Sequence, residues 1–131
     1  MIDHISVGVS DLDRSARFYE ATLEPLGLVR LVTRPGTVGF GKTYPEFWIN
    51  LRREMPQVAS ESGCHICLRA RSTGAVDGFH AAALKSGGSS DGAPGLRPHD
   101  RVRYYAAFVR DPDGNRIEAV TFPAHEAAAS P

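Results

Sequence analysis

The stretch GCHICLRAR, residues 63–71, carries two cysteines three positions apart with a histidine between them. It can be read as a redox pair, as half of a zinc site, or as a buried strand that carries His65. The opening residues MIDHISVGV (1–9) separate these readings. Sliding the chain by 61 residues places His4 on His65, Ile5 on Ile66, Phe18 on Phe79, Ala21 on Ala82, Leu23 on Leu84 and Gly27 on Gly88. The matches mark a strand, a helix face and a helix stop in turn, which is the signature of a duplicated module. With an offset of 68, Ile49 falls on Ile117 and Asn50 on Glu118. The larger offset asks only for longer loops in the second half.

Both halves show the same order of elements. Residues 2–9 form a short strand with β-branched residues. Ser10 or Asp11 stands where an N-cap belongs, and Leu12, Ala16, Tyr19 and Leu23 recur at helical spacing until Pro25 and Gly27 stop the helix. Strands are expected at 28–33, 37–41 and 47–52. In the second half the strand GCHICLRA is followed by the Ala-rich helix STGAVDGFHAAALKSGG. SSDGAPGLRP reads as a loop by composition, with a weak strand at most. Residues 102–110 read as a strong strand, DPDGN as a turn built on Asp and Gly, and 116–122 as the last strand. The expected fold is α+β: two βαβββ modules in tandem, 1–55 and 62–122, making one domain over 1–123. Residues 124–131 are expected to be a flexible tail.

The repeat disposes of the CxxC. Strand side chains alternate faces, so Cys64 and Cys67 point to opposite sides, whereas His65 and Cys67 share one. Pseudo-symmetry predicts that His4, Asn50, His65 and Glu118 converge. Two imidazoles and a carboxylate suit one divalent metal ion (iron, zinc, manganese or nickel), and three protein ligands leave positions open for substrate. A carboxylate in the apolar run RIEAV is costly to bury unless paired or metal-bound. The competing reading is two hydrogen-bonded strand histidines and a solvent-facing glutamate. Ser6 and Cys67 are expected to line the same cavity. His99, Asp100, Arg101 and Arg103 precede a long strand and could hold an anionic substrate under a lid. Phe18 and Phe79 are expected in the core, His80 and His125 in solvent.

Composition narrows the function further. Of 131 residues, 42% are hydrophobic, and 15 basic residues balance 15 acidic ones. With no basic face, nucleic-acid binding has little support. No apolar run reaches the ~18 residues of a membrane span, and no secretory signal is visible. Two cysteines without such a signal point to a cytoplasmic setting.

The opening strand with its histidine, RFYEATLEPLG, HICL and YYAAFVRDPDGNRIEAV together resemble the vicinal oxygen chelate superfamily (glyoxalase, bleomycin resistance protein, extradiol dioxygenase) over residues 1–122. The resemblance implies a glyoxalase-like fold, in which the paired modules form a cupped, partly open β-barrel-like sheet with flanking helices. It implies His4, His65 and Glu118 as metal ligands, Asn50 as a fourth ligand or a donor behind them, and a homodimer that completes the cup. Asn50 stands where glyoxalase I usually has a glutamate, so the base would be Glu118 leaving the metal, a metal hydroxide or the substrate itself, with Glu118 the candidate catalytic residue. Phe108 stands where extradiol dioxygenases commonly have a tyrosine, with Tyr104 and Tyr105 nearby but out of register. Ser6, Cys67, Phe108, Tyr104, His99 and Arg101 are the candidate substrate-binding residues. The implied activity is metal-dependent, lyase/isomerase-like or dioxygenase-like, on a small oxygen-bearing metabolite. The alternative is a metal-free protein of the bleomycin-resistance type that sequesters a drug or metabolite.

Overall fold

The computed structural model describes residues 1–124; the expectations for His125 and the rest of the tail lie outside the described residues. The elements run β1 (Ile5–Val9), α1 (Leu12–Leu23), a 3-10 turn (Glu24–Leu26), β2 (Val29–Arg34), β3 (Thr37–Gly41) and β4 (Pro45–Leu51). They repeat as β5 (Ile66–Arg69), α2 (Thr73–Lys85), β6 (Ser89–Arg97), β7 (Tyr104–Arg110) and β8 (Arg116–Thr121). Each module forms its own four-stranded mixed sheet, in the order β1-β4-β3-β2 and β5-β8-β7-β6. In each, the first strand pairs parallel to the last and the remaining pairs are antiparallel. The sheets are not closed into a barrel, and the tandem α+β reading holds.

Local chemistry sets the helix limits. The Asp11 carboxylate accepts from the Arg14 N–H at 3.0 Å, and the Ser72 hydroxyl from the Ala75 N–H at 3.1 Å. Such caps contribute about 0.5–2 kcal/mol each. The first helix ends through Pro25 and through Gly27, whose φ of +83° is left-handed. In the second module Gly87 takes the left-handed conformation, with φ +103°. Gly88, the residue the repeat aligned with Gly27, has a different task. A Cβ there would come within 2.5 Å of the Phe18 ring and 2.6 Å of the Arg110 carbonyl oxygen.

One continuous core joins the modules. Phe18, Tyr19, Phe40, Phe47 and Ile49 of the first meet Val76, Phe79, Val109 and Ile117 of the second, all buried. Each helix covers one face of its own sheet, and α1 and α2 pack on each other. Phe18 and Phe79 are core residues, as the repeat predicted.

The DPDGN turn ties the second module onto the first. Tyr19 donates its hydroxyl to Asp111 at 2.6 Å, and the Asn115 amide donates to the Gly8 carbonyl at 2.9 Å. Asp113 accepts from the Ser10 N–H and hydroxyl, and forms an ion pair with Arg14 at 3.3 Å. Burial pushes the Asp111 carboxyl up against the lowering effect of the Tyr19 and Asn115 bonds. Burial, then the Asp111 charge, holds the Tyr19 hydroxyl well above the ordinary phenol range.

Two sequence expectations are corrected here. SSDGAPGLRP is not a loop: residues 89–97 form β6, an irregular strand whose register against β7 shifts on both sides of Gly92. Its glycines and proline are tolerated because it is an edge strand with bulges. The opening strand begins at Ile5 rather than Ile2, and β5 at Ile66, so His4 and His65 sit just ahead of their strands. Each side chain leaves from a strand mouth rather than from within the sheet.

Candidate functional site

The faces turned away from the helices are the only large sheet surfaces the core does not cover, and the candidate residues lie on them. In the second module Glu118 is the centre. It is only 2% exposed, yet it lies on the side of β8 opposite Ile117 and Ala119, which face the core. His65 Nε2 stands 3.0 Å from its Oε1, and the Tyr104 hydroxyl donates to its Oε2 at 2.5 Å. A buried carboxylate is thus held at both oxygens, with one partner, His65, half exposed to the cup.

Further groups shape the pocket. Cys67 lies directly across from Glu118 on β5, and Phe108 directly across on β7. Partial burial, then the Glu118 charge, pushes the Cys67 thiol up to about 12. Cys67 is therefore a neutral thiol at physiological pH rather than a nucleophile. The bond to Glu118, then desolvation, holds the Tyr104 hydroxyl above the ordinary phenol range. Arg97 lies over the Phe108 ring at 5.4 Å. A cavity of about 230 Å³ borders His65, Phe108, Asp91 and Arg116. Cys64 and Cys67 are both free, in line with the rejection of a redox pair.

The first module presents a different surface. His4 is exposed, and its Nδ1 lies 2.7 Å from the Asp3 carboxylate. His4, Ser6 and Asn50 share a cavity of about 270 Å³ with Arg34, Thr37 and Trp48. The Thr37 hydroxyl bonds one end of the Asn50 carboxamide. The register corrects the pairing of Asn50 with Glu118. Glu118 sits opposite Cys67, the repeat partner of Ser6, whereas Ser6 sits opposite Trp48. Asn50 is one step further along, opposite Gly8. The true counterpart of Glu118 is therefore Trp48, and the second offset is 70, not 68.

The expected four-residue convergence does not occur within one chain. Among the described residues, no group of three or more His, Cys, Asp or Glu side chains is placed to hold a metal. His4 and His65 do border a common cavity of about 380 Å³ with Ile5, Ile66 and Cys67. They lie at the mouths of adjacent half-sites, each with an open side. Among the lid candidates, His99 stacks on Tyr104 at 5.9 Å and accepts from the Arg101 and Val102 N–H groups. That fixes a corner beside the Glu118 pocket, whereas Arg101 itself is exposed. His80 is not free in solvent: it bonds the Ser90 hydroxyl at 2.8 Å, and desolvation lowers its pKa.

Sequence reasoning passed over Arg34, Trp48 and Arg97. Their signal lay in the alternation of β2, β4 and β6, and it became readable only once the registers were known.

The donor set fits a divalent ion in chemistry: imidazole and carboxylate with their donor atoms adjacent, the carboxylate buried and the imidazole bordering a cavity. No helix among the described residues is long and apolar enough to cross a membrane. No curated protein sequence matches this chain significantly. Solved structures do. A glyoxalase/bleomycin resistance protein from Albidiferax ferrireducens is 33% identical, with 92% of this chain and 98% of that one covered, at a TM-score of 0.81. The fosfomycin resistance protein FosX from Mesorhizobium loti shares the fold at 19% identity, with 98% and 97% covered and a TM-score of 0.67. FosX from Listeria monocytogenes, crystallised as a mutant with Mn(II) and a dihydroxypropylphosphonic acid, does so at 14% identity, with 96% and 93% covered and a TM-score of 0.69. The family model for the Glyoxalase/Bleomycin resistance protein/Dioxygenase superfamily matches residues 1–119, and the chain belongs to that superfamily.

Proposed function

We propose that the protein is a metal-dependent enzyme of the vicinal oxygen chelate type, acting on a small oxygen-bearing metabolite by lyase- or isomerase-like chemistry. The observation that carries this reading is the buried Glu118 carboxylate with His65 Nε2 at 3.0 Å, His65 itself bordering two cavities. His65 and Glu118 of one chain and His4 of a second copy would hold the ion. His4 and His65 border one cavity within a chain without completing a three-ligand group, and a homodimer would supply the second copy's His4. A divalent ion held there supplies Lewis-acid stabilisation of negative charge developing on a substrate oxygen.

This chain's own residues do the rest. Tyr104 holds Glu118 Oε2 and so leaves Oε1 to His65. Phe108 would border the substrate on one side. Glu118 would take a proton from a carbon next to the substrate oxygen, with the Tyr104 hydroxyl staying hydrogen-bonded to its far oxygen. The open, reducing cytoplasm is the proposed location.

The test is metal analysis of protein purified without chelators, with sedimentation to read its assembly. About one equivalent of divalent metal per chain, lost in His65→Ala at unchanged fold, supports the enzyme. No metal, and none taken up on titration, moves the function to the metal-free binding protein. The existing bonds among His65, Glu118 and Tyr104 would then be that protein's resting state.

A further inference from the structure

Trp48 holds the place in the first module that Glu118 holds in the second. Nothing assigned to the superfamily site explains what an indole does there. The Cε3–Cζ3 edge of the ring comes so close to β3 that a Cβ on Gly39 would lie within 2.8 Å of it. Its outer side carries the Arg34 guanidinium, 5.5 Å from the ring centroid. Among the described residues no carboxylate forms an ion pair with Arg34. The cavity these two residues border is lined otherwise by the Ser6 and Thr37 hydroxyls, the Asn50 carboxamide and His4, with no acidic side chain.

We propose that Arg34 and Trp48 form a binding subsite for a flat carboxylate, one joined to an aromatic or conjugated body. A guanidinium over an indole, with no carboxylate of the described chain paired to it, leaves its N–H groups free for an incoming anion. A carboxylate can meet them by two parallel hydrogen bonds. A flat, conjugated body attached to that carboxylate is then within reach of the indole face. Ser6 and Asn50 supply the remaining polar partners. The site exists within one chain and needs no metal. Its role as the place where the enzyme's substrate anchors its acid group does rest on the function proposed above.

The test uses the full chain stripped of metal. Trp48 is the sole tryptophan, so its emission reports from this cavity alone. Benzoate is the probe, benzamide supplies the same shape without charge, and inorganic phosphate supplies charge without a flat body. Benzoate is expected to change the emission saturably, with benzamide and phosphate at least about tenfold weaker. Arg34→Gln is expected to weaken benzoate by at least about tenfold, and Arg34→Lys to fall between. Arg34 is exposed, so neither variant threatens the fold.

Benzamide or phosphate matching benzoate overturns the proposal, as does Arg34→Gln binding like the wild type. A repeat with Mn(II) added separates the two readings. Benzoate that binds only with Mn(II), and regardless of Arg34, removes the subsite and keeps the metal enzyme. Benzoate that binds through Arg34 in a protein that takes up no metal does the reverse.

Discussion

The two modules share one topology and present opposite chemistry to the cup. The second places a buried carboxylate between an imidazole and a phenol, opposite a thiol and a phenylalanine ring. The first places an indole under a guanidinium in the same register position. A duplicated frame fixes where a side chain stands and leaves its chemistry free. One half carries a carboxylate and the other a guanidinium at that place.

The sharpest way to break this contrast is to remove one group from each half and compare metal affinity. Glu118→Ala is expected to lose on the order of 100-fold or more, beyond what the loss of a group behind a ligand costs. Asn50→Ala is expected to change affinity far less, because the counterpart of Glu118 is Trp48. Calorimetric titration with Mn(II) on both variants decides it, and comparable losses would restore Asn50 as a ligand.

The next contrast is between the faces and the core that joins them. Tyr19→Phe removes the donor to the buried Asp111 and should cost about 1–3 kcal/mol in urea unfolding while leaving metal affinity unchanged. The same residue sets a pH dependence. Its folded pKa is raised, so above pH ~10 the unfolded chain gives up a proton that the folded one keeps. Stability then falls as pH rises, by up to about 1.4 kcal/mol per unit from this group, and Tyr19→Phe should flatten that slope. An equally steep slope in the variant would show that other groups set the alkaline limit.

The smallest expected effect tests the close seating of the indole on Gly39. Gly39→Ala sets a methyl group against the Trp48 ring and should cost about 1–3 kcal/mol at most, less if the ring can tilt. A shift in Trp48 emission with unchanged metal content would confine the change to the first module. An unaltered spectrum would mean that the ring is not held by that contact.

Most of the frame could be read from the residues. Leu12, Ala16, Tyr19 and Leu23 at helical spacing, Pro25 with Gly27, and the match of His4 with His65 were enough for two βαβββ units. What escaped did so for physical reasons. The β6 strand is rich in Gly, Ser and Asp because a bulged edge does not need β-branched residues. Gly87 and Gly88 look interchangeable as letters, yet one turns the chain and the other lets Phe18 close in. The two-residue error that paired Asn50 with Glu118 came from aligning letters in strands whose loops differ. Because both positions keep the same face, alternation alone could not detect it. His65, Glu118 and Tyr104 meet only through the β5-β8-β7 register, which no local pattern records.

The bonds of the DPDGN turn to the first module also bear on how the chain is made. Ser10 and Gly8 find their partners in Asp113 and Asn115, more than a hundred residues later. On the ribosome, the first module emerges complete in sequence and incomplete in bonding. It has to wait, with its Gly8 carbonyl and Tyr19 hydroxyl unclaimed, until the 111–115 turn of the second module is out. Contacts of such long separation slow folding and lengthen the time that apolar surface stays exposed. Completion of the first module's bonding therefore waits on the second.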